Sequence, residues 1–314
     1  MSLRHRLEYA AFRVLRAVLG VLPEALALRC GAGLGLLVGS VLRIRRRVVD
    51  EHLAFVFPQK DGAWRRRVAR ASYAHLGREA VMLFRMGSWS DGELVARTRL
   101  EGAEHVDAAL AEGRGAVVLT GHLGNWEVAG AGLAARGVAL DVVGKGMANR
   151  RFEEDLFEAR RRLGMRVIEM SQAPKGVLRS LREGRATAIV ADQNMHRNGI
   201  FVPFFGRLAA TARGPALFAL RAGVPVLFGY ALAEEGRRRG YVLHAEPFEY
   251  EATGDLEADV QTLMAAYHAR LEDVIRRVPE QYFWQHKRWK TRPPFESGEP
   301  SDGTSGGTGA ARPG

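Results

Sequence analysis

This 314-residue sequence predicts an α/β fold with a largely parallel central sheet flanked by helices and an N-terminal hydrophobic helical segment. From residue 94 onward, short apolar runs alternate with helix-length segments, the pattern of strand, crossover helix and parallel strand. Glycine or a polar cluster closes most of these runs. Hydrophobic residues make up 47% of the chain, enough for one large core.

Residues 3–42 are rich in Leu, Val and Ala, with Arg4, Arg6, Arg13, Arg16 and Arg29 spaced along them. The longest unbroken apolar run, 30–42, is glycine-rich and short for a bilayer crossing. Two helices broken at Pro23 and lying in a membrane interface are therefore expected, with Arg43, Arg45, Arg46 and Arg47 adding attraction to anionic lipid. A helix pair packed on the domain and a true membrane span are the other readings. No cleavable signal peptide is recognised, because arginines break the apolar segments and a small-residue cleavage site is lacking. Cys30, the single cysteine, excludes an intrachain disulfide and reads as a buried thiol.

Helices are expected over 48–86, interrupted near Phe57 and Pro58, then a short strand and turn over 94–104 and a helix to 112. Strands at 115–120, 138–144, 166–170 and 186–191 alternate with helices at 149–163, ended by Gly164, and around 176–183. Residues 194–211 read as a loop, unusually apolar at 199–206. Such a loop suggests a greasy ligand or a membrane, with Phe204 and Phe205 as contacts, and a loop tucked into the core is the other reading. A helix at 213–222, strands at 224–233 and 240–248 around a charged turn, and a long helix at 256–278 complete the core. The organisation is thus a membrane-associating segment 1–47, an α/β domain 48–296 and a Gly/Ser/Pro/Thr-rich disordered tail 297–314.

The chain is organised around residues 115–130, GAVVLTGHLGNWEVAG. A buried strand ends at Thr120-Gly121, and a small-residue helix follows, so the corner offers free N–H groups and positive potential. His122 and Glu127 are five apart and share no face of one helix. A bend at Gly124-Asn125, residues that tolerate φ > 0, would let Glu127 accept a hydrogen bond from one ring nitrogen and leave the other as a general base. Asp192-Gln193 follows another strand. Ligands of such sheets lie at the strand carboxyl ends, which puts Asp192 and His122 in one cleft.

The formal net charge of +11 points to an anionic partner: nucleic acid, lipid headgroups or an acidic carrier protein. The aromatic and basic stretch 279–293 suits nucleic acid, a phospholipid interface or internal cation–π packing. A nucleic-acid-binding protein leaves the apolar 201–205 and the hydrophobic N-terminus unexplained. A metal hydrolase using His122, Asp192 and His196 lacks compact ligand spacing, so no metal is expected.

Several motifs occur together: TGHLGNWE at 120–127, Asp192-Gln193, GIFVPFFG at 199–206 with Thr211, PEQYFW at 279–284 and RWKTRP at 288–293. In this ordered set the chain resembles the bacterial lipid A late acyltransferases, the lauroyl and myristoyl transferases of the lysophospholipid acyltransferase superfamily. The resemblance implies a glycerolipid acyltransferase-like fold and a catalytic histidine and acid at His122 and Glu127. It further implies a basic residue at Arg160, four before Gly164, and an aspartate at Asp192, with Asn125, Gln193, Phe204 and Phe205 toward substrate. It implies an inner-membrane enzyme facing the cytoplasm, using acyl carrier protein or coenzyme A thioester as co-substrate, a lipid A precursor as acceptor, and no further cofactor. The actinobacterial phosphatidylinositol-mannoside acyltransferases carry similar motifs. On this reading His122 deprotonates the acceptor hydroxyl, which attacks the thioester directly, while backbone N–H groups near 124–126 stabilise the oxyanion.

Overall fold

The computed structural model describes residues 3–146, 149–196, 198–234, 239–250 and 252–293. Seven strands form the main sheet: β1 (Thr98–Glu101), β2 (Ala116–Thr120), β3 (Leu140–Gly144), β4 (Arg166–Glu169), β5 (Ala186–Val190), β8 (Val226–Glu234) and β9 (Gly240–Pro247). Their order is β1-β9-β8-β2-β5-β3-β4. Neighbours run parallel throughout except β8 with β9, which pair antiparallel. The sheet is covered on both faces, as a parallel sheet requires.

Alternation along β2 shows the two layers directly. Val117 and Leu119 pack into a cluster with Leu181 of α9 (Ala173–Arg182), Ala216 of α10 (Gly214–Ala222) and Leu271 of α11 (Leu256–Arg277). Ala116 and Val118 face the other way, onto Val106 of α6 (Ala103–Leu110), Val128 of α7 (Trp126–Ala134) and Met82 of α4 (Gly62–Met86). β2 and β5 are in register, Thr120 opposite Val190, so the chain leaves both strands at one level of the sheet. That register sets His122 and Asp192 equally far beyond the edge.

Two sequence expectations change here. Residues 91–97 are helix α5 (Asp91–Arg97), capped by the Ser90 hydroxyl, and the strand begins only at Thr98. The expected loop 194–211 contains a hairpin, β6 (Gly199–Phe204) paired antiparallel with β7 (Arg207–Ala212). Phe205 and Gly206 form its two-residue turn, both with positive φ, the geometry that matches strand twist. The phenylalanine tolerates this conformation poorly, and the Glu272 carboxylate anchors it by accepting the Phe205 N–H at 2.6 Å.

Helix α1 (Leu3–Val21) and α2 (Glu24–Leu36) break at Pro23, and a π-helical turn, Leu37–Val41, extends α2. Gly31, Gly35 and Gly39 form a stripe on which α4 lies. A Cβ on Gly35 would sit 2.0 Å from the Tyr73 carbonyl oxygen, and one on Gly31 2.6 Å from that of Gly77. The seam is thus backbone against backbone. Leu26, Leu34, Leu37 and Val41 stay exposed, as do Leu7, Val14, Val18 and Val21 along one face of α1. The stretch Glu24–Val41 is long and apolar enough to cross a membrane by length and composition, a property the unbroken run 30–42 understates. Cys30 is exposed, not buried, because only the glycine and alanine face of α2 meets α4.

The described C-terminal segment returns to the sheet edge. Gly124 N–H donates to the Gln281 carbonyl at 2.9 Å and Phe283 N–H to the His122 carbonyl at 3.0 Å, with a bridge between Leu123 and Tyr282. The expected disordered tail 297–314 and most of the charged turn, 235–238, lie outside the described residues.

Candidate active site

The chain turns sharply after β2. Gly124 has φ +57, and a Cβ there would stand 1.7 Å from the Ala231 carbonyl oxygen, so only glycine fits. Asn125 keeps negative φ and caps α7 instead, its side-chain oxygen accepting the Val128 N–H at 3.0 Å. Its amide donates to Glu79 at 2.8 Å, so both ends of this buried side chain are engaged within the protein. Asn125 therefore holds the corner.

His122 meets Asp192, not Glu127. The ring Nδ1 lies 2.6 Å from Asp192 Oδ1, and the His122 backbone N–H donates to Oδ2 at 2.9 Å. Glu127 turns away because α7 starts at Trp126 and points its second residue toward α8 (Arg150–Arg162), where it makes a bidentate pair with the Arg160 guanidinium, 2.9 Å from Nε. The Trp126 indole N–H also donates to Glu127, at 3.1 Å. The orienting carboxylate of the histidine is thus supplied by β5 and the second carboxylate by α7. Gln193 lies beyond, its side-chain amide 3.1 Å from His122 Nε2.

Burial alone would push the Asp192 carboxyl up. The charge of His122, its two hydrogen bonds and the nearby Arg288 outweigh that and hold the pKa down to about 2. Asp192 is therefore an anion that fixes the proton on Nδ1 and leaves Nε2 to accept one. Tyr267 and Tyr282, buried beside it, are raised well above the ordinary tyrosine range by burial and by the Asp192 charge, and stay neutral. Tyr267 donates to the Thr120 carbonyl at 2.7 Å, tying α11 to the end of β2.

Two expected oxyanion donors are engaged elsewhere: Gly124 N–H by Gln281 and Asn125 N–H by the Ala231 carbonyl at 3.0 Å. What this corner offers a developing oxyanion is the first turn of α7, whose N–H groups precede the helical ladder, and the Gln193 amide.

Trp126, Glu127 and Arg160 stand with Thr120 at one part of an apolar cavity between the sheet and α6 and α7. Its walls come from β3, β5, β2, β8 and β9, through residues such as Val142, Ala188, Val118, Leu227 and Leu243. Most of the side chains that line it are hydrocarbon. Phe204 and Phe205 lie apart from it. Phe204, fully buried in β6, stacks on Trp289 and lies under the Arg288 guanidinium, while half-buried Phe205 faces Arg276. The apolar stretch is a hairpin packed into the core, and neither ring lines the cavity. His196 does not join His122 and Asp192; its ring lies beside Thr291, 3.4 Å from the hydroxyl.

Sequence reading missed the shell behind the corner. Glu79, on the buried face of α4, accepts from Asn125, from the Tyr241 hydroxyl at 2.7 Å and from Arg239 Nε at 2.8 Å, while His75 Nε2 donates to the Gly124 carbonyl at 3.3 Å. A carboxylate among Tyr73, Ala74, Val81 and Met82 was the available signal, since a charge on a core face demands partners. His268 was missed too. Its Nδ1 donates to the Met264 carbonyl at 2.7 Å and its Nε2 accepts from Arg288 at 2.9 Å, a neutral ring. Burial and then the Arg288 charge push it down to about 3, and burial pushes His286 down to about 4.

Both histidines ordinarily titrate near 6.5 in an unfolded chain, so between about pH 6.5 and 4 the unfolded state binds protons that the folded state refuses. Stability should then fall as pH falls, by up to about 1.4 kcal/mol per pH unit for each ring. Urea midpoints measured from pH 7 to pH 4.5 should show this slope, and His268→Gln should flatten it. A slope that His268→Gln leaves unchanged would remove His268 from the explanation.

Residues 2–291 match the profile of a family described as bacterial lipid A biosynthesis acyltransferase. The lipid A biosynthesis lauroyltransferase of Escherichia coli is 27% identical over 279 residues, 87% of this chain and 88% of that protein. The phosphatidylinositol mannoside acyltransferase of Mycolicibacterium smegmatis is 30% identical over 276 residues, 84% and 86% of the two chains. The lipid A biosynthesis palmitoleoyltransferase of Escherichia coli is 27% identical over 282 residues, 88% and 89%.

Proposed function

The chain belongs to the bacterial lipid A biosynthesis acyltransferase family, and we propose that it moves a fatty acyl group from acyl carrier protein or coenzyme A to a hydroxyl of a lipid A precursor at the cytoplasmic face of the inner membrane. It is an enzyme that acylates a lipid acceptor. The observation that carries the finer reading is a His122–Asp192 pair beside an apolar slot. The slot suits a fatty chain, and His122 Nε2 takes the proton of the acceptor hydroxyl as its oxygen attacks the thioester carbon. Collapse of the adduct expels the thiolate, to which His122 returns the proton, so neither a covalent acyl-enzyme nor a cofactor is needed.

Glu127 and Arg160 carry one negative and one positive charge at the slot, and hold its polar end in shape for the thioester. The exposed leucines and valines of α1 and α2 supply the apolar surface that would seat the enzyme on a bilayer, and the arginines at 43–47 the attraction to its anionic headgroups. Transfer to a phosphatidylinositol mannoside is the second reading, favoured by the 30% identity to the Mycolicibacterium protein.

Expression in cells lacking their own late acyltransferases tests this. Mass spectrometry should show lipid A species heavier by one acyl chain with the native sequence and none with His122→Ala. Unchanged lipid A, with added chains on mannosylated phosphoinositide supplied to the purified enzyme, would replace the first acceptor by the second.

A further inference from the structure

The seam between α2 and α4 does not close at its end. Tyr73, Gly77 and Val81 of α4 receive the glycine stripe of α2. The same face continues toward the start of α4 as Arg70 and Arg66, three and seven residues before Tyr73. By that point α2 has run out, since its π-helical turn stops at Val41 and α3 (Arg46–Val56) leads the chain away. A face that packs against backbone along one half of the helix thus presents guanidinium groups along the other.

These two arginines line a concavity of about 580 Å³, within the range of ligand pockets, and Arg43, Arg46 and Arg65 line it with them. The single carboxylate there, Asp50, is already taken by Arg46 at 2.9 Å. Among the described residues no carboxylate stands within ion-pair distance of Arg43, Arg65, Arg66 or Arg70. Arg66 and Arg70 are one helical turn apart, a spacing at which like charges repel. Arg43 joins them from φ +52, a conformation costly for a non-glycine residue. The Tyr73 hydroxyl holds that loop by donating to the Ile44 carbonyl at 2.6 Å. An anion placed among these groups offsets their repulsion, and their forked donors suit phosphate oxygens.

Location selects the kind of phosphate. Leu26, Leu34, Leu37 and Val41 are exposed on the outer side of α2, and exposed Leu42 and Ile44 flank Arg43 in the chain. A molecule with its phosphate on the arginines therefore has hydrocarbon surface beside it for its tails. No residue that lines this pocket lines the acyl slot, so the occupant is not the reacting acyl chain.

We propose that this pocket holds the phosphodiester of one anionic membrane phospholipid, bound as a seat and not as a substrate. It differs from the diffuse attraction of the arginines at 43–47 in being saturable. It also draws three of its contacts, Arg65, Arg66 and Arg70, from α4, which places the start of that helix at the headgroup layer. The assignment holds whichever acceptor His122 serves.

The test titrates the purified full-length protein in detergent with dioctanoyl phosphatidylglycerol and with dioctanoyl phosphatidylcholine, which share tails and differ in net charge. Native mass spectrometry counts the bound lipid. One phosphatidylglycerol per chain should bind saturably, about tenfold or more tighter than phosphatidylcholine. Arg65→Gln/Arg66→Gln/Arg70→Gln should weaken it about tenfold or more, while the melting temperature stays level or rises because repelling charges are gone. Arg67→Gln removes a neighbouring exposed charge that does not line the pocket, and should leave binding native. If the triple variant melts lower, Arg70→Gln alone decides, with a loss of about threefold or more expected.

Equal losses in Arg70→Gln and Arg67→Gln overturn the proposal, since net charge would then suffice. Phosphatidylcholine that binds as tightly as phosphatidylglycerol overturns it as well. So does glycerol 3-phosphate that competes as strongly as the intact lipid, the mark of a free-anion site. Native phosphatidylglycerol binding in the triple variant, with a raised KM for an acyl thioester of acyl carrier protein, would give these arginines to an acidic protein and likewise overturn the lipid seat.

Discussion

Replacing His122 by alanine should lower acyl transfer by roughly two to four orders of magnitude, the usual contribution of a positioned base, while the protein stays folded. Asp192→Asn should cost a comparable factor. The amide can no longer fix the Nδ1 proton, so the ring loses the tautomer that frees Nε2, and it gives the imidazolium no countercharge. Because the two residues act as a unit, the double substitution should be hardly slower than either single one. Single-turnover rates with a radiolabelled thioester donor measure all three. Losses that multiply in the double variant would mean that the two side chains serve separate steps, and an Asp192→Asn enzyme of native rate would leave His122 without its orienting partner.

Glu127→Ala should act chiefly through stability. It leaves the Arg160 guanidinium, almost covered at the slot, without its bidentate partner, and such an unpaired charge costs about 3–5 kcal/mol. Removing both charges together, Glu127→Gln with Arg160→Met, should recover most of that, because neutral groups of similar size carry no stranded charge. Urea unfolding of the singles and the double gives the coupling energy. A double variant as unstable as the sum of the singles would show that the pair does not act as one. Donor KM should rise in every variant that reshapes the slot, whereas Asp192→Asn should reduce turnover.

The arrangement of strands was legible because buried β residues leave runs of β-branched and small apolar side chains that end at glycine. β2 and β5 appear in the sequence at nearly their final bounds, and the rule that parallel sheets work at their carboxyl ends brought His122 toward Asp192. The bend at Gly124 was legible for the same local reason, since its φ of +57 excludes a side chain. The partner of His122 was not. A five-residue spacing says nothing about which way a helix leaves its cap, and only the packing of α7 on α8 decides that Glu127 meets Arg160. The hairpin at 199–212 hid because its turn is Phe205-Gly206, without the asparagine or aspartate that ordinarily marks such turns, and its register is set by contacts with α11. Cys30 was misjudged because apolar neighbours in sequence do not reveal that a glycine stripe contacts only one side of α2.

The binding of residues 281–283 onto the His122 corner has a consequence for the order of events in the cell. A ribosome delivers α1 and α2 some two hundred and forty residues before it delivers Gln281, Tyr282 and Phe283. The exposed apolar face of α1 and α2 therefore emerges while the histidine still lacks the segment that holds its carbonyl and the neighbouring glycine. Throughout synthesis the growing chain carries that apolar face without a finished catalytic corner, and the corner closes only when residues 281–283 arrive.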